Sequence, residues 1–324
     1  SSGRHVSDTD VYMEFDDRWA HRGNMYEDDA YKQTGYPLGL RVKAMGHSYG
    51  VAYAEDIMFV TVKVRNESGA YYDEDGVYHQ GILLPDGTRL NRGQGFDYKD
   101  VFLGFYMDAD VLMGDINGYN SGLHTNNDDF MEYHAERFSV NDDSLRISMA
   151  MIYDWDNRSG FASGSDLGIV AVQLLDSPIA TQDVDLDQNG TIDGADVYAG
   201  EPLKMTDWHW FDWYNRPGVV DREGMNCCAG DPGKAQALNK EAIMYKVMSG
   251  DTTNLTTNEK RWFFHTASPD LDAGVDLNPH FDSLEGLHLE TVVNQDPYGL
   301  DCVLIFSCGP FDLAVGEEVP FSFC

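Results

Sequence analysis

Segments in which apolar and polar residues alternate recur along this chain, and they predict β-strands. In Asp56–Arg65 the alternation runs from Phe59 to Val64, as expected for a strand with one buried face, and the turn residues Asn66–Gly69 end it. Loops rich in Gly, Asn and Asp separate further segments of strand character: Val101–Tyr106, Leu145–Tyr153 and Gly168–Leu175. Several strands at this spacing predict a mainly β fold of one or more antiparallel β-sandwiches.

One or two short helices are expected within this β pattern. Apolar residues at helical spacing predict a helix over about Lys234–Met248, and Gly250 supplies a stop. Strand patterns then return in Cys302–Cys308 and Val319–Cys324, with a turn near Gly316 between them.

These patterns divide the chain into four predicted segments. Residues 1–35 are polar, acidic and aromatic without periodicity, so we expect an extended N-terminal arm that wraps the domain or reaches a neighbour. Residues 36–180 are predicted to form the β-sandwich, and residues 181–230 a calcium-loop and aromatic segment. Residues 231–324 are predicted to supply a helix and the C-terminal strands that complete the β core.

The charge of the chain limits its partners. The 324 residues include 55 Asp and Glu against 22 Lys and Arg, a formal net charge of −33. Such a charge repels the phosphates of nucleic acids and of anionic lipids, so we expect neither as a partner. No run of about 18 apolar residues occurs, so no membrane insertion is expected. Self-repulsion would strain the compact state unless cations neutralise part of it, which favours the binding of divalent ions.

The segment Asp185–Asp196 matches the twelve-residue EF-hand loop position by position. Gly190 stands at the sixth position, where the sharp turn requires a residue without Cβ, and Ile192 is the apolar plug. Asp instead of Glu at the twelfth position is similar to dockerin-type loops. The predicted Ca²⁺ ligands are Asp185, Asp187, Asn189, Thr191, Asp193 and Asp196. A single loop without a Met-rich groove indicates that calcium staples the structure and does not act as a switch.

Other acidic residues occur in close pairs beside Gly and Asn, and they are candidates for a second metal site. Hard cations bind several oxygen ligands from a tight turn, although Asp, Asn and Gly also build ordinary turns. The candidate residues are Asp108, Asp110, Asp128, Asp129, Asp154 and Asp156.

Three tryptophans, Trp208, Trp210 and Trp213, form an aromatic cluster with two interpretations. The rings stack on sugars, or they fill a core or pack between subunits, and the second interpretation is favoured because large apolar area dominates packing. Catalytic signatures are missing: the chain has no H-E-x-x-H, no G-x-S-x-G and no glycine-rich phosphate loop. No pair of carboxylates stands out as that of a glycosidase. An enzyme is therefore less expected than a protein without catalytic activity.

Sequons and cysteines indicate an extracellular setting. N-x-S/T sequons make Asn66, Asn157 and Asn254 candidates for glycosylation. Asn189 also stands in a sequon, but it is expected to bind calcium and not to carry a glycan. Five cysteines are candidates for disulfides that pin the C-terminal part, with one thiol left free or paired between chains: Cys227, Cys228, Cys302, Cys308 and Cys324. The start SSGRHVSD suits a mature product after removal of a signal peptide. We therefore expect a secreted protein at the cell surface.

Four stretches carry a resemblance to a known group: Glu55–Ser68, Asp100–Asp110, Phe211–Gly218 and Gly309–Glu317. Together they resemble a group of uncharacterised secreted bacterial proteins, which are often large and β-rich and occur with sorting or dockerin-like segments. The resemblance implies a bacterial, exported, multi-sheet protein. None of the four stretches is a catalytic motif, so the resemblance implies no activity.

The sequence favours an extracellular structural protein, a calcium-stabilised subunit of a surface assembly or filament. Its expected partners are copies of itself, bound by exchange or addition of the N-terminal arm or of the terminal strand. The alternative is a secreted protein that binds or processes carbohydrate, with glycans as partners of the tryptophan cluster.

Overall fold

The structure is a computed structural model of the chain. It describes residues 6–19, 37–109, 129–140, 143–154, 169–186, 190–194, 196–212, 220–222, 225–226, 240–256, 259–260, 263–264 and 302–324. Within strands and helices, the side chains of residues 129–148, 153–154, 212, 220–222, 225–226, 240–241 and 302 are not described.

The fold is mainly β, as the alternation of apolar and polar residues predicts. The strands are β1 Thr9–Asp16, β2 Leu40–Ser48, β3 Met58–Asn66, β4 Tyr71–Tyr72, β5 Tyr78–His79, β6 Tyr98–Asp108, β7 Asp129–Val140, β8 Asp143–Asp154, β9 Ile169–Asp176, β10 Asp207–Asp212, β11 Val220–Arg222, β12 Met225–Asn226, β13 Cys302–Leu313, β14 Glu318–Pro320 and β15 Ser322–Phe323. The strand pairs with a defined register are all antiparallel. Five predicted strand segments are confirmed, as β3, β6, β8, β9 and β13.

The chain forms two compact units, each built from segments that are distant in the sequence. The first unit contains residues 1–103, 174–204 and 308–324, and the second contains residues 104–173 and 205–307. Strands from different predicted segments pair with one another, since β15 near the end of the chain pairs with β3 and β9.

The sheet of the first unit is centred on β3. One edge of β3 pairs with β2 over nine residues, from Leu40 opposite Asn66 to Ser48 opposite Met58. The other edge pairs with β14 and β15, and β15 also pairs with the end of β9. On β2 the pairing continues to β1, which is therefore an edge strand.

The pleat gives this sheet one charged face and one apolar face. Register partners lie on the same face, and successive residues lie on opposite faces. Arg41 lies opposite Arg65 and Lys43 lies opposite Lys63, while Val42 lies opposite Val64 on the other face.

The second unit contains the hairpin of β7 and β8, with β9 paired to β8, and a smaller sheet in which β10 pairs with β13. A core cluster fills the space between this smaller sheet and the helix α1, Lys240–Ser249. Its fully or almost fully buried members are Phe211, Ile243, Val247, Phe263, Phe264, Val303 and Ile305.

Helix α1 ends where the sequence predicts. Gly250 has a φ of +64°, which a residue without Cβ adopts readily. Its N–H donates to the carbonyl of Val247, and the N–H of Asp251 donates to that of Lys246, as in a Schellman motif. The predicted beginning of the helix, Lys234–Asn239, lies outside the described residues. No helix in the described part of the chain is long and apolar enough to cross a membrane.

Both ends of the chain pair with strands of the first unit. Residues 9–16 of the predicted arm form β1, paired with β2 over all eight residues. The C-terminal strand β15 lies between β3 and β9, so both of its edges are occupied. Exchange of the terminal strand with a neighbour stays a prediction.

Candidate functional site

A short antiparallel ladder in the first unit joins the two ends of the predicted calcium loop. Val184 and Val197 exchange both backbone hydrogen bonds, at 2.8 and 3.2 Å, directly outside Asp185 and Asp196. A second bridge joins Ile179 and Pro202. An EF-hand places its loop between two helices, whereas here the flanking residues are extended and paired with each other. The ladder fixes the distance between the two ends of the loop.

The glycine at the sixth position of the loop has the conformation that the motif requires. Gly190 has a φ of +83°, and no atom lies within 4 Å of the position that a Cβ would take. The N–H of Gly190 donates to Oδ2 of Asp185 at 2.7 Å. This contact between the first and sixth positions folds the chain around the carboxylate of Asp185.

Asp196 closes the loop at its twelfth position. Its side chain is buried, with 2% of the residue exposed. Oδ1 accepts a hydrogen bond from the N–H of Leu186 at 2.8 Å, and Oδ2 accepts one from the N–H of Asp193, also at 2.8 Å.

The remaining loop positions are only partly described. Asp187 and Asn189 lie outside the described residues, and Thr191 is exposed. Among the described residues, no group of three or more His, Cys, Asp or Glu side chains is placed to hold a metal ion. Two of the predicted ligands lie outside these residues, so calcium at this loop stays a prediction.

The structure brings together two of the six candidates for a second metal site. Asp129 at the beginning of β7 lies directly opposite Asp154 at the end of β8. Like charges at directly opposite positions destabilise a strand pair. Asp108 ends β6 and is exposed, while Asp110, Asp128 and Asp156 lie outside the described residues.

The tryptophans of β10 belong to the core. Trp208 and Trp210 are 4% and 2% exposed, and they lie opposite Phe306 and Leu304 of β13. A sugar ring has no access to indole faces at this burial, so the structure favours packing as the role of these two residues. Trp213 lies outside the described residues.

Asn66 is not a glycosylation site in this fold, which corrects the expectation from its sequon. The residue is completely buried. Its Nδ2 donates to the carbonyls of Phe96 and Leu313, at 2.8 and 3.0 Å. An amide nitrogen in that environment has no room for a glycan.

Glycosylation at the other two sequons stays a prediction. Asn254 is exposed, and Thr256 of the same sequon caps a helical turn by accepting the N–H of Glu259 at 3.2 Å. Asn157 lies outside the described residues.

Two of the five candidate disulfide cysteines are free thiols in this structure. Cys308 is buried within β13, where burial raises the pKa of its thiol, and Cys324 at the end of the chain is half-buried. Cys302 begins β13. Cys227 and Cys228 lie outside the described residues.

The edge strand β1 exposes apolar side chains on both of its faces. Val11, Tyr12, Met13 and Phe15 are 56%, 57%, 52% and 53% exposed. At its end, the carboxylate of Asp17 accepts the N–H groups of Leu38, Gly39 and Leu40, which ties β1 to the beginning of β2. Burial raises the pKa of Asp17, and the three N–H donors oppose that shift. Therefore β1 is held along one edge and at its end, while its faces remain accessible.

Sequence reasoning missed a charged cleft of about 760 Å³ over the charged face of the first unit. It contains four of the 22 basic residues, together with carboxylates of β1, β14 and the loops. The alternations Arg41-x-Lys43 and Lys63-x-Arg65 were visible in the sequence. What the sequence does not show is that β2 and β3 pair in a register that brings the four side chains together.

Comparisons of the chain with family models, with curated proteins and with solved structures gave no match.

Proposed function

We propose that this protein is an extracellular structural protein, a calcium-stabilised subunit of a surface assembly or filament that binds copies of itself through β1. The proposal includes a β-sandwich with an EF-hand-like calcium loop as the fold of the subunit. The observation that carries it is the accessible edge strand with apolar side chains on both faces.

β1 exposes apolar side chains, although it also carries the charges of Asp10, Glu14 and Asp16. Edge strands are normally protected by shortness, charges, proline or bulges, since an open edge is a template for association. β1 is eight residues long, and Val11, Met13 and Phe15 form an apolar row at alternate positions. Covering these half-exposed side chains would stabilise an assembly by about 1 kcal/mol each.

The open edge of β1 offers the hydrogen bonds for strand addition. Among the residues that the structure describes, no strand pairs with the other edge of β1. A strand of a neighbouring copy that pairs there would cover the exposed side chains as well. A head-to-tail contact between β1 and a different surface of the next copy gives an open filament when its rotation does not close.

Calcium contributes to assembly through charge and rigidity. Copies with a formal charge of −33 repel each other, and bound Ca²⁺ reduces that repulsion. An ion held by Asp185 and Asp196 would also make the segment between β9 and β10 more rigid. Within that segment, the ladder at Val184 and Val197 already joins the two ends of the loop.

Electron microscopy and sedimentation of the native protein, with and without excess chelator, test this proposal. We expect filaments or sheets that fray on removal of calcium. Val11→Lys should keep the protein in small particles, because a charge in the row of apolar side chains opposes strand addition. Val77→Lys is the matched control, since Val77 is 54% exposed but lies outside β1.

Discrete particles that stay unchanged with chelator would overturn the proposal. It would also fail if Val77→Lys blocked assembly as strongly as Val11→Lys does, because the effect would then come from added charge and not from β1.

A further inference from the structure

We propose that the charged cleft binds an acidic carbohydrate, a sugar chain that carries carboxylate or sulfate groups together with hydroxyl groups. The cleft lies over β1, β2, β3 and β14, all in the first unit. This binding activity does not depend on the self-association of the protein.

The centre of the cleft is a block of positive charge in an acidic protein. The register of β2 and β3 sets Lys43 opposite Lys63 and Arg41 opposite Arg65. Like charges at opposite positions repel, and this arrangement is costly unless anions lie among them. The protein supplies some of those anions itself, and it supplies them unevenly.

The arginines are neutralised by carboxylates of the protein. Arg41 binds Glu14 at 2.8 Å and Glu67 at 2.7 Å. Arg65 binds Glu318 at 2.9 Å, and its Nη1 also donates to the hydroxyl of Tyr71. Both guanidinium groups are therefore held in place and have their charge matched.

The lysines are left for a ligand. Lys63 shares Glu318 with Arg65, at 3.1 Å, and 55% of its side chain is exposed. Lys43 forms no ion pair with any described residue, although it lines the cleft. Glu14 lies opposite Lys43 in the register of β1 and β2, but it is bonded to Arg41, so the two neighbouring ammonium groups have no carboxylate to themselves and form a binding position for an external anion.

The carboxylates around the lysines indicate a ligand with hydroxyl groups. Glu14, Glu67 and Glu318 are fixed by arginines, and Asp73 is fixed by His79 at 2.8 Å. Ionised carboxylates only accept hydrogen bonds, and sugar hydroxyls donate them. A simple inorganic anion would use the lysines and meet repulsion from the carboxylates, whereas an acidic sugar satisfies both sets of groups.

The size and the rim of the cleft suit a carbohydrate. Its volume of about 760 Å³ lies in the range of small-ligand sites, and the cleft is open, so a longer chain can cross it. Tyr71 and His79 line it as a stacked pair with ring centres 4.7 Å apart.

The test is fluorescence anisotropy of labelled oligosaccharides with the full-length chain at one calcium concentration. A hexuronate oligosaccharide and a sulfated one are compared with a neutral oligosaccharide of the same length and with a polyglutamate peptide. We expect at least one acidic oligosaccharide to bind, and NaCl to weaken its binding by screening.

Lysine variants connect that binding to the cleft. Lys43→Gln and Lys63→Gln should each weaken binding about tenfold, since each removes a charged hydrogen-bond donor. Lys99→Gln is the control, because Lys99 is exposed and pairs with Asp312 outside the cleft. If calcium bridged acidic groups of the protein and the ligand, these lysine substitutions would leave the affinity unchanged. Circular dichroism and thermal unfolding check that each variant folds.

Several results would overturn the inference. These are equal affinity for the neutral oligosaccharide, no binding of either acidic one, or an equal loss with Lys99→Gln. Stronger binding of polyglutamate would replace the carbohydrate by an acidic protein partner. A failure of assembly through β1 changes none of these readouts, so the two proposals fail separately.

Discussion

Asn66 lies where the end of β3 meets two other parts of the chain, and its side chain is bonded to both. Its Nδ2 donates to the carbonyls of Phe96 and Leu313, and its Oδ1 accepts from the N–H and the hydroxyl of Ser68. A buried amide with all of these groups paired stabilises the fold, while removal of the amide would leave several partners unsatisfied. Residues 66–68 form a sequon in the sequence, and in the structure they connect the end of β3 to these two parts of the chain.

Gly190 gives a prediction at the residue scale. Gly190→Ala should weaken Ca²⁺ binding by the loop about tenfold, because an alanine at a φ of +83° is strained in the closed loop. Isothermal titration calorimetry measures the affinity. No atom lies near the added Cβ, so the effect comes from the backbone alone.

Gly194→Ala is the matched control for that titration. Gly194 belongs to the same loop, has open space at its Cβ and does not adopt the left-handed conformation. Equal calcium affinities of the two variants and the wild type would show that the turn at Gly190 does not shape an ion site.

At the scale of elements, β1 and β10 differ in the burial of their side chains. Both contain aromatic residues. β10 pairs with β13 and buries Trp208, Trp210 and Phe211, whereas β1 stays at an edge with most of its apolar side chains exposed. We therefore assign β10 to stability and β1 to contacts between copies.

Trp210→Ala should lower the free energy of unfolding by about 3 to 5 kcal/mol, the usual cost of removing a large buried aromatic side chain. Urea unfolding followed by circular dichroism measures it. Tyr72→Ala is the control, because Tyr72 is 72% exposed, and its unfolding should change by less than about 0.5 kcal/mol. Unchanged stability of Trp210→Ala would contradict the assignment of this ring to the core.

At the scale of the whole molecule, the excess of acidic residues makes stability depend on cations. With 55 acidic and 22 basic residues, self-repulsion opposes the compact state. The ion pairs of Arg41 and Arg65 relieve it locally within the first unit. Lys99 pairs with Asp312 and Lys246 with Asp251 as well, but basic residues are too few to match every acidic one, so ions in solution supply the rest of the relief.

Calcium should therefore raise the Tm in two ways, by screening and by binding to the loop. Differential scanning calorimetry separates the two effects. NaCl at matched ionic strength supplies only screening. At a concentration about 100 times its Kd, Ca²⁺ bound to the loop adds about 2.7 kcal/mol, which raises the Tm by several degrees. Asp185→Asn should abolish this additional rise and keep the effect of screening. A wild-type Tm that responds equally to NaCl and to calcium would exclude a specific site.

The amino-acid sequence by itself determined the features that depend on residues close together in the chain. Alternation predicts β3, β6, β8, β9 and β13 correctly, since a strand needs only a period of two residues. Gly250 marks the end of α1, because the left-handed conformation there is a local requirement. The spacing of ligands in Asp185–Asp196 is equally local, and it remains the basis of the calcium prediction.

Only the tertiary structure decided which segments meet. It placed β15 between β3 and β9, buried the amide of Asn66, and left β1 at an edge. It also assembled the charged cleft from β2 and β3 and from Glu318, near the other end of the chain. The physical reason is that pairing and burial are set by the combined fit of distant strands, and a period of two residues is the same for a strand at an edge and for one at the centre of a sheet.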